Sequence, residues 1–199
     1  MNPKIIESII QSSGFQKLRE KYEFLKIEDI VELMSIGKLH FIPKNKHFIK
    51  AGDTTKKVGF IINGLIRFYH LKDSEEYNII FKKEFEMVSS FEVIILNQPS
   101  SYSFEALEDT QMMVYDYDEM ETLFYKNHQL ERFGRHFIQQ ELAKAVKIYE
   151  GHLFFSPEER YLKFMKEHPD LMNRIPLKHL SSFLGITPVS LSRIRKRVI

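Results

Sequence analysis

The stretch Leu177 to Lys196, LKHLSSFLGITPVSLSRIRK, reads as two short helices joined by a sharp turn. Numbered from Leu177, apolar residues fall at the fourth, eighth, tenth, fifteenth and eighteenth places (Leu180, Leu184, Ile186, Leu191 and Ile194), and glycine is ninth. A glycine at that place accepts the positive φ of a tight turn, and the small Ser181 lets two helices cross closely. The apolar places form a wedge that fixes the crossing angle. Thr187 is suited to cap the second helix through its hydroxyl, and Pro188 to occupy its first turn, where a missing N–H costs nothing. With Leu191, Ile194 and Val198 turned inward, the second helix presents Val189, Ser190, Ser192, Arg193, Lys196 and Arg197 outward. This is a helix-turn-helix pattern.

Charge agrees with that reading. From Arg174 to the end the basic residues are Arg174, Lys178, Arg193, Arg195, Lys196 and Arg197, with no Asp or Glu, so the segment carries +6; given +2 for the whole chain, Met1 to Asn173 carries −4. A concentrated cationic end suits a polyanion such as double-stranded DNA, which the acidic remainder would avoid. A recognition helix sets its early residues on base edges in the major groove, while phosphates meet its basic end and the preceding helix. Arg193 is the expected base reader, because a guanidinium pairs in two places with a guanine edge. Val189 suits a thymine methyl, and Thr187, Ser190 and Ser192 suit bases or phosphates. Arg174, Lys178, Lys196 and Arg197 are expected on phosphates.

Working toward the N-terminus, Ser156-Pro157-Glu158-Glu159 supplies an N-cap, a first-turn proline and a capping-box glutamate, and so marks a boundary. Before it, a helix is expected from His128 to Leu153, on the order of 36 Å long at 1.5 Å per residue. Ile138, Leu142, Ala145 and Tyr149 recur at seam spacing along one side, with Phe133, Phe137, Val146 and Leu153 on a second flank. A helix apolar on two sides has a face to spare for a second copy of the chain, most simply as a two-fold homodimer. From Gly37 to Asp116 the pattern is short β-branched and aromatic runs: Leu39–Ile42, His47–Lys50, Val58–Ile62, Leu65–Leu71, Tyr77–Lys82, Tyr102–Leu107 and Gln111–Asp116. Turn residues separate them, so these are expected strands of a roll. A short helix is expected over Asp118–Tyr125. Residues 1 to 33 read as helix with a break near Gly14.

The expected fold is therefore α+β: an N-terminal double-stranded β-helix, a jelly-roll-like roll with flanking helices (1–127), a long dimerisation helix (128–153) and a C-terminal all-α winged-type helix-turn-helix region (154–199). Residues Met1 to Gln11 do not read as a signal peptide, and no stretch approaches the roughly 20 apolar residues of a membrane helix. No membrane partner is expected. Absence of cysteine excludes disulfides, thiolate metal sites and cysteine nucleophiles, and fits a cytoplasmic address. No catalytic or metal motif is present: the eight histidines are scattered, and His136 and His152 are expected to face solvent or the helix seam.

Over nearly its whole length the chain resembles the family of the cyclic-AMP receptor protein and the fumarate-nitrate regulator, the Crp/Fnr family. The likeness is carried by Phe48-Ile49-Lys50-Ala51-Gly52-Asp53 followed by Gly59-Phe60-Ile61-Ile62-Asn63-Gly64, by the order roll, long helix, capped helix, and by Leu184 to Ile194. The resemblance implies a homodimeric cytoplasmic transcription regulator, with a ligand site in the roll biasing its DNA-binding heads and RNA polymerase as a further partner. The alternative is a sensor or scaffold of the same fold that no longer touches DNA. Relatives that bind cyclic nucleotides hold ribose and phosphate with a Gly-Glu pair and, about ten residues on, an Arg followed by Ser or Thr. Alignment on Glu105-Ala106-Leu107 puts Ser89 and Ser90 at the Gly-Glu places, next to Phe91, and Ser100 and Ser101 at the Arg-Ser places. A buried phosphate without its arginine loses several kcal/mol, so a cyclic nucleotide cofactor is not expected. Pro188 and Val189 likewise stand where GTGA readers carry Arg and Glu, and only Arg193 matches a base-reading place of the family.

Overall fold

The computed structural model describes Gln11, Gln16 and residues 19–198. The break anticipated near Gly14 and the apolar residues Ile5 to Ile10 lie outside the described residues. The chain forms two compact units, Met1–Phe68 with Phe81–Ile138, and Tyr69–Ile80 with Gln139–Ile199.

In the first unit, residues 19–21 are helical and Tyr22 to Phe24 make a turn, so no single helix runs on to Leu33. A separate helix, α1 (Ile27–Ile36), starts there. Its first turn is fixed by the Asp29 carboxylate, which accepts from the Lys26 N–H at 2.8 Å. The strands are β1 (Lys38–Ile42), β2 (His47–Ile49), β3 (Lys57–Asn63), β4 (Ile66–Lys72), β5 (Glu75–Lys82), β6 (Met87–Val88), β7 (Tyr102–Ala106) and β8 (Thr110–Asp116). They lie in two four-stranded sheets, ordered β1-β8-β3-β6 and β2-β7-β4-β5. Pairing β1 and β3 on either side of β8 brings sequence-distant strands together, as a roll demands.

Between the sheets Ile42, Phe48, Ile49, Ile61, Ile66, Val88, Phe104, Ala106 and Met112 form the core, and Phe68 stacks on Phe104 with ring centroids 4.6 Å apart. Alternation along β8 sends Met112 into this core, and Met113 and Tyr115 into a second cluster on the other face, with Val58, Ile94 and Met120. Two elements differ from the sequence reading. β6 is a two-residue strand, and Phe91–Leu96 is a helix, α2. Its FEVIIL sequence is an apolar run that periodicity cannot assign, and its end is set by Asn97 in the left-handed conformation (φ 51°). α3 (Tyr117–Lys126) follows β8, capped by Asp116, which accepts from the Asp118 and Glu119 amides.

α4 (His128–Phe154) leads into the second unit, which contains α5 (Pro157–Glu167), a 3-10 turn (Pro169–Leu171), α6 (Leu177–Phe183) and α7 (Pro188–Val198). The anticipated capping box is made: Ser156 Oγ accepts from the Glu159 N–H, and Glu159 accepts from the Ser156 N–H. Hydrogen bonds from Ser156 hold the Glu159 carboxyl below its usual range. In the same unit Asp73 (φ 51°) and Ser74 (φ 65°) form the two-residue turn between β4 and β5, the backbone sense that suits a hairpin. Among the described residues after α4 every element is helical, and the strands of a wing are not among them.

Gly64 tests the packing of the first unit. At φ +123°, a Cβ there would collide with the Thr110 hydroxyl and stand 2.7 Å from the Thr110 Cα, whereas one on Gly52 (φ +89°) would meet nothing. Gly52→Ala is expected to cost about 1 kcal/mol of backbone strain, and Gly64→Ala about 3 kcal/mol or more. Denaturant unfolding followed by circular dichroism measures both, and equal costs would contradict the close approach to Thr110.

Candidate nucleic-acid interface

The helix pair is built as the local rules require. Leu180, Leu184, Leu191 and Ile194 are buried between α6 and α7, and Ile186 is half-buried. Ser181 is buried at the crossing, its hydroxyl donating to the Lys178 carbonyl at 2.9 Å. Gly185 turns the chain at φ +68°. Thr187 Oγ1 accepts from the Ser190 N–H at 3.1 Å and lies 2.9 Å from the Ser190 hydroxyl, so both serve the start of α7. Val189 is 61% exposed, and Arg193 and Lys196 are exposed on the same helix; Ser190 and Ser192 are half-exposed. Among the described residues neither Arg193 nor Lys196 is held in an ion pair.

Two of the expected phosphate ligands are engaged within the protomer. Arg197 Nη2 lies 2.8 Å from Glu158 on α5, and Lys178 Nζ lies 3.8 Å from Glu76 on the β4–β5 hairpin. Both cations remain well exposed, so these pairs are weak and screened, and a phosphate can displace the carboxylates. Arg174 is half-exposed and also has a partner. Arg195, counted in the basic segment but assigned no contact by the sequence reading, is half-buried and shares a groove of about 330 Å³ with Leu177, Ser192 and Lys196. The groove thus brings cations of α7 beside the start of α6.

Three further residues hold this surface in place, and none of them had a signal in the local pattern. Arg160 donates through Nε and Nη2 to the Leu184 carbonyl at 3.1 and 2.7 Å, and through Nη1 to the Phe155 carbonyl at 2.6 Å. It ties the turn of the helix pair to the loop before α5. Ser182 accepts from the Asn78 N–H at 3.0 Å and donates to the Glu76 carbonyl at 2.7 Å, which fixes α6 to the hairpin tip. His152 is exposed, as expected, but its ring also lies about 3.7 Å from where a Gly185 Cβ would stand. Desolvation, and then the neighbouring Arg160 charge, lower its pKa, while a hydrogen bond to the Phe183 backbone raises it; the net shift is downward.

In the roll, the expected ligand residues serve the chain itself. Ser89 Oγ donates to the Lys57 carbonyl at 2.8 Å and Ser100 Oγ to the Tyr102 carbonyl at 2.9 Å. Ser90 is buried with no partner for its hydroxyl, and Phe91 is half exposed. The Ser101 N–H donates to the Glu92 carboxylate at 2.6 Å. On α4, Ile138, Leu142, Ala145 and Tyr149 are all exposed in the protomer. No group of residues able to hold a metal ion occurs among those described, and no described helix is long and apolar enough to cross a membrane.

Residues 39–127 match the family model of the cyclic nucleotide-binding domain. Beyond that span the likeness is one of fold, to solved structures of low sequence identity. The chain is similar to FixK2 from Bradyrhizobium japonicum (17% identity, TM-score 0.71, covering 82% of this chain and 84% of that one). It is also similar to CLP of Xanthomonas campestris, a c-di-GMP-responsive global regulator (15%, TM-score 0.69, 87% and 91%). A third match is a protein from Eubacterium rectale described as a transcriptional regulator of the Crp/Fnr family (14%, TM-score 0.68, 88% and 84%). No curated relative matches the sequence. The α+β fold with its antiparallel roll is therefore shared with these solved structures.

The His152 shift has a definite sign. A histidine whose folded pKa lies below its unfolded value contributes fully above about pH 6.5, and that contribution is lost as pH falls. The thermal midpoint is expected to drop between pH 7.5 and 5.5, and His152→Gln to make the drop smaller. An unchanged slope in the variant would remove His152 from the account.

Proposed function

We propose that this chain is a homodimeric, sequence-specific DNA-binding transcription regulator of the Crp/Fnr type, acting in the cytoplasm, with RNA polymerase as a further partner. One observation carries the reading: a rigidly built helix pair, in a segment of net charge +6, presents Arg193 and Lys196 to solvent with no ion-pair partner among the described residues. Unpaired cations on one face of a second helix match what a duplex requires, since phosphates supply affinity and base edges supply specificity. Arg193 reads a base, assisted by Val189, Ser190 and Ser192. Lys196, Arg195, Lys178, Arg174 and Arg197 meet phosphates, with Thr187 at the helix start.

Dimerisation through α4 is supported by the exposure of Leu142 and Tyr149, each 65%, and of Ile138, Val146 and Leu153 along the same helix. An apolar stripe of this length left in water is a strong incentive to pair. The roll, in this reading, does not hold a cyclic nucleotide in the family's usual way. The arginine is replaced by Ser100, whose hydroxyl is already used. The Ser101 N–H is taken by Glu92, a negative group standing where an anionic ligand would need to be received.

The test on DNA is salt dependence. Binding to duplex selected from a random pool is expected to weaken on the order of a thousandfold between about 50 and 200 mM salt. Arg193→Ala is expected to cost about 1–3 kcal/mol on the selected site and little on random duplex, whereas Lys196→Ala weakens both alike. Identical behaviour of the two variants contradicts the division of roles, and a flat salt response with no duplex binding leaves the scaffold reading.

The seam has its own measurement. Leu142→Asp with Tyr149→Asp is expected to give a monomer in analytical ultracentrifugation that binds a palindromic site poorly. An unchanged sedimentation coefficient places the seam elsewhere.

A further inference from the structure

Residues 69–80, the outer part of the β4–β5 hairpin, belong to the same compact unit as α6 and α7. Between Leu71 and Asn78 three carboxylates, Asp73, Glu75 and Glu76, are offset only by Lys72, so the tip is acidic. Ser182 draws this tip onto α6. Its hydroxyl donates to the Glu76 carbonyl at 2.7 Å and accepts from the Asn78 N–H at 3.0 Å, bracketing Tyr77. One turn earlier on α6, Lys178 Nζ lies 3.8 Å from Glu76 Oε2. Residues four apart share a face of a helix, so the backbone bonds and the ion pair act side by side.

Alone, the ion pair would be a weak feature, since a surface lysine gains little from one carboxylate. The two backbone bonds change this, because they fix the strand that carries the carboxylate whether or not Lys178 is paired. The Glu76 side chain is 25% exposed against 74% for Lys178, so the anion is held and the cation is the freer partner. A negative group held within ion-pairing distance of a lysine on α6 does what a DNA phosphate does in the proposed complex. Asp73 and Glu75, both exposed on the same tip, add to a field that repels an approaching duplex.

We propose that the acidic tip of the β4–β5 hairpin is an intrachain competitor of nucleic acid, anchored by Ser182 and occupying the Lys178 face of α6 until a duplex phosphate displaces Glu76. The proposal rests on the duplex reading of α6 and α7 and adds a regulation to it. A competitor of this kind lowers affinity for every duplex by the same factor. At a fixed protein concentration that empties random sequence while a well-matched site stays filled.

Carbodiimide condenses a carboxylate with an adjacent lysine amine, itself taking up the water released, and so records the pair in the full-length native chain. Peptide mass spectrometry is expected to find a Glu76–Lys178 link in the free protein, with the Lys56–Asp118 pair of the roll (3.6 Å) as internal standard. A short duplex of random sequence, in excess at about 50 mM salt, is expected to lower the Glu76–Lys178 yield about fivefold relative to that standard. Glu76→Gln and Ser182→Ala are each expected to tighten duplex binding about threefold at that salt, and by less at about 200 mM. Ser182→Ala alters no charge, so its gain reports the anchor and not the net field. Absence of the Glu76–Lys178 link while Lys56–Asp118 forms overturns the proposal. So does a bound duplex that leaves the yield unchanged. Unchanged or weaker binding by either variant also overturns it, and weaker binding by both would make the hairpin a brace for α6. If the link forms but neither the native chain nor any variant binds duplex, the duplex reading itself has failed and the competitor falls with it, a result distinct from the others.

Discussion

Four apolar side chains, Leu180, Leu184, Leu191 and Ile194, hold the crossing of α6 against α7, and the direction of every exposed cation on α7 follows from that crossing. Burying four such side chains contributes several kcal/mol in a very small helical region. It is opposed by the entropy of ordering the chain around the turn, to which Gly185 adds, but Gly185 spares the turn the strain that a side chain would meet at positive φ. The polar face is consequently free to be chosen for binding, because the apolar face alone carries the geometry.

Much of this was legible before any coordinates. The spacing Leu180, Leu184, Gly185, Ile186, Thr187, Pro188 specifies a cap, a turn and a wedge by rules acting within a few residues, and the observed hydrogen bonds of Thr187 and Ser190 follow those rules. The roll was equally readable where β-branched and aromatic runs alternate with turn residues, as around Asn63-Gly64 and Asp73-Ser74. β6 and α2 were not, because Met87–Val88 is too short for a period to show and FEVIIL suits either conformation. Partners distant in sequence were invisible for a different reason. Nothing near Arg160 announces that its guanidinium will find the Leu184 carbonyl 24 residues away, nor does Ser182 signal its bonds to a hairpin more than a hundred residues earlier. The sequence reading counted Arg195 among the cations but assigned it no contact, since the groove it shares with Leu177 depends on how two helices meet.

The polar loop of the roll is held by its own hydrogen bonds. The polar atoms of Ser100 and Ser101, which the family resemblance marks as ligand positions, close a local circuit with Tyr102, Asp53 and Glu92. The circuit stabilises the loop in the absence of any visitor, because buried polar groups that are already paired have little to gain from a new partner. Ser90, buried with an unmatched hydroxyl, is the exception in that region.

Arg160 grips two carbonyls at once, one on the loop just past α4 and one on the turn of the helix pair, and a planar guanidinium does not bend between them. It acts as a strut. A rotation of the loop at Phe155 would be handed on to Leu184 with little slack, carrying the α6–α7 pair with it as a single piece. Substitutions confined to the outward positions Val189, Ser190, Ser192 and Arg193 leave that strut untouched.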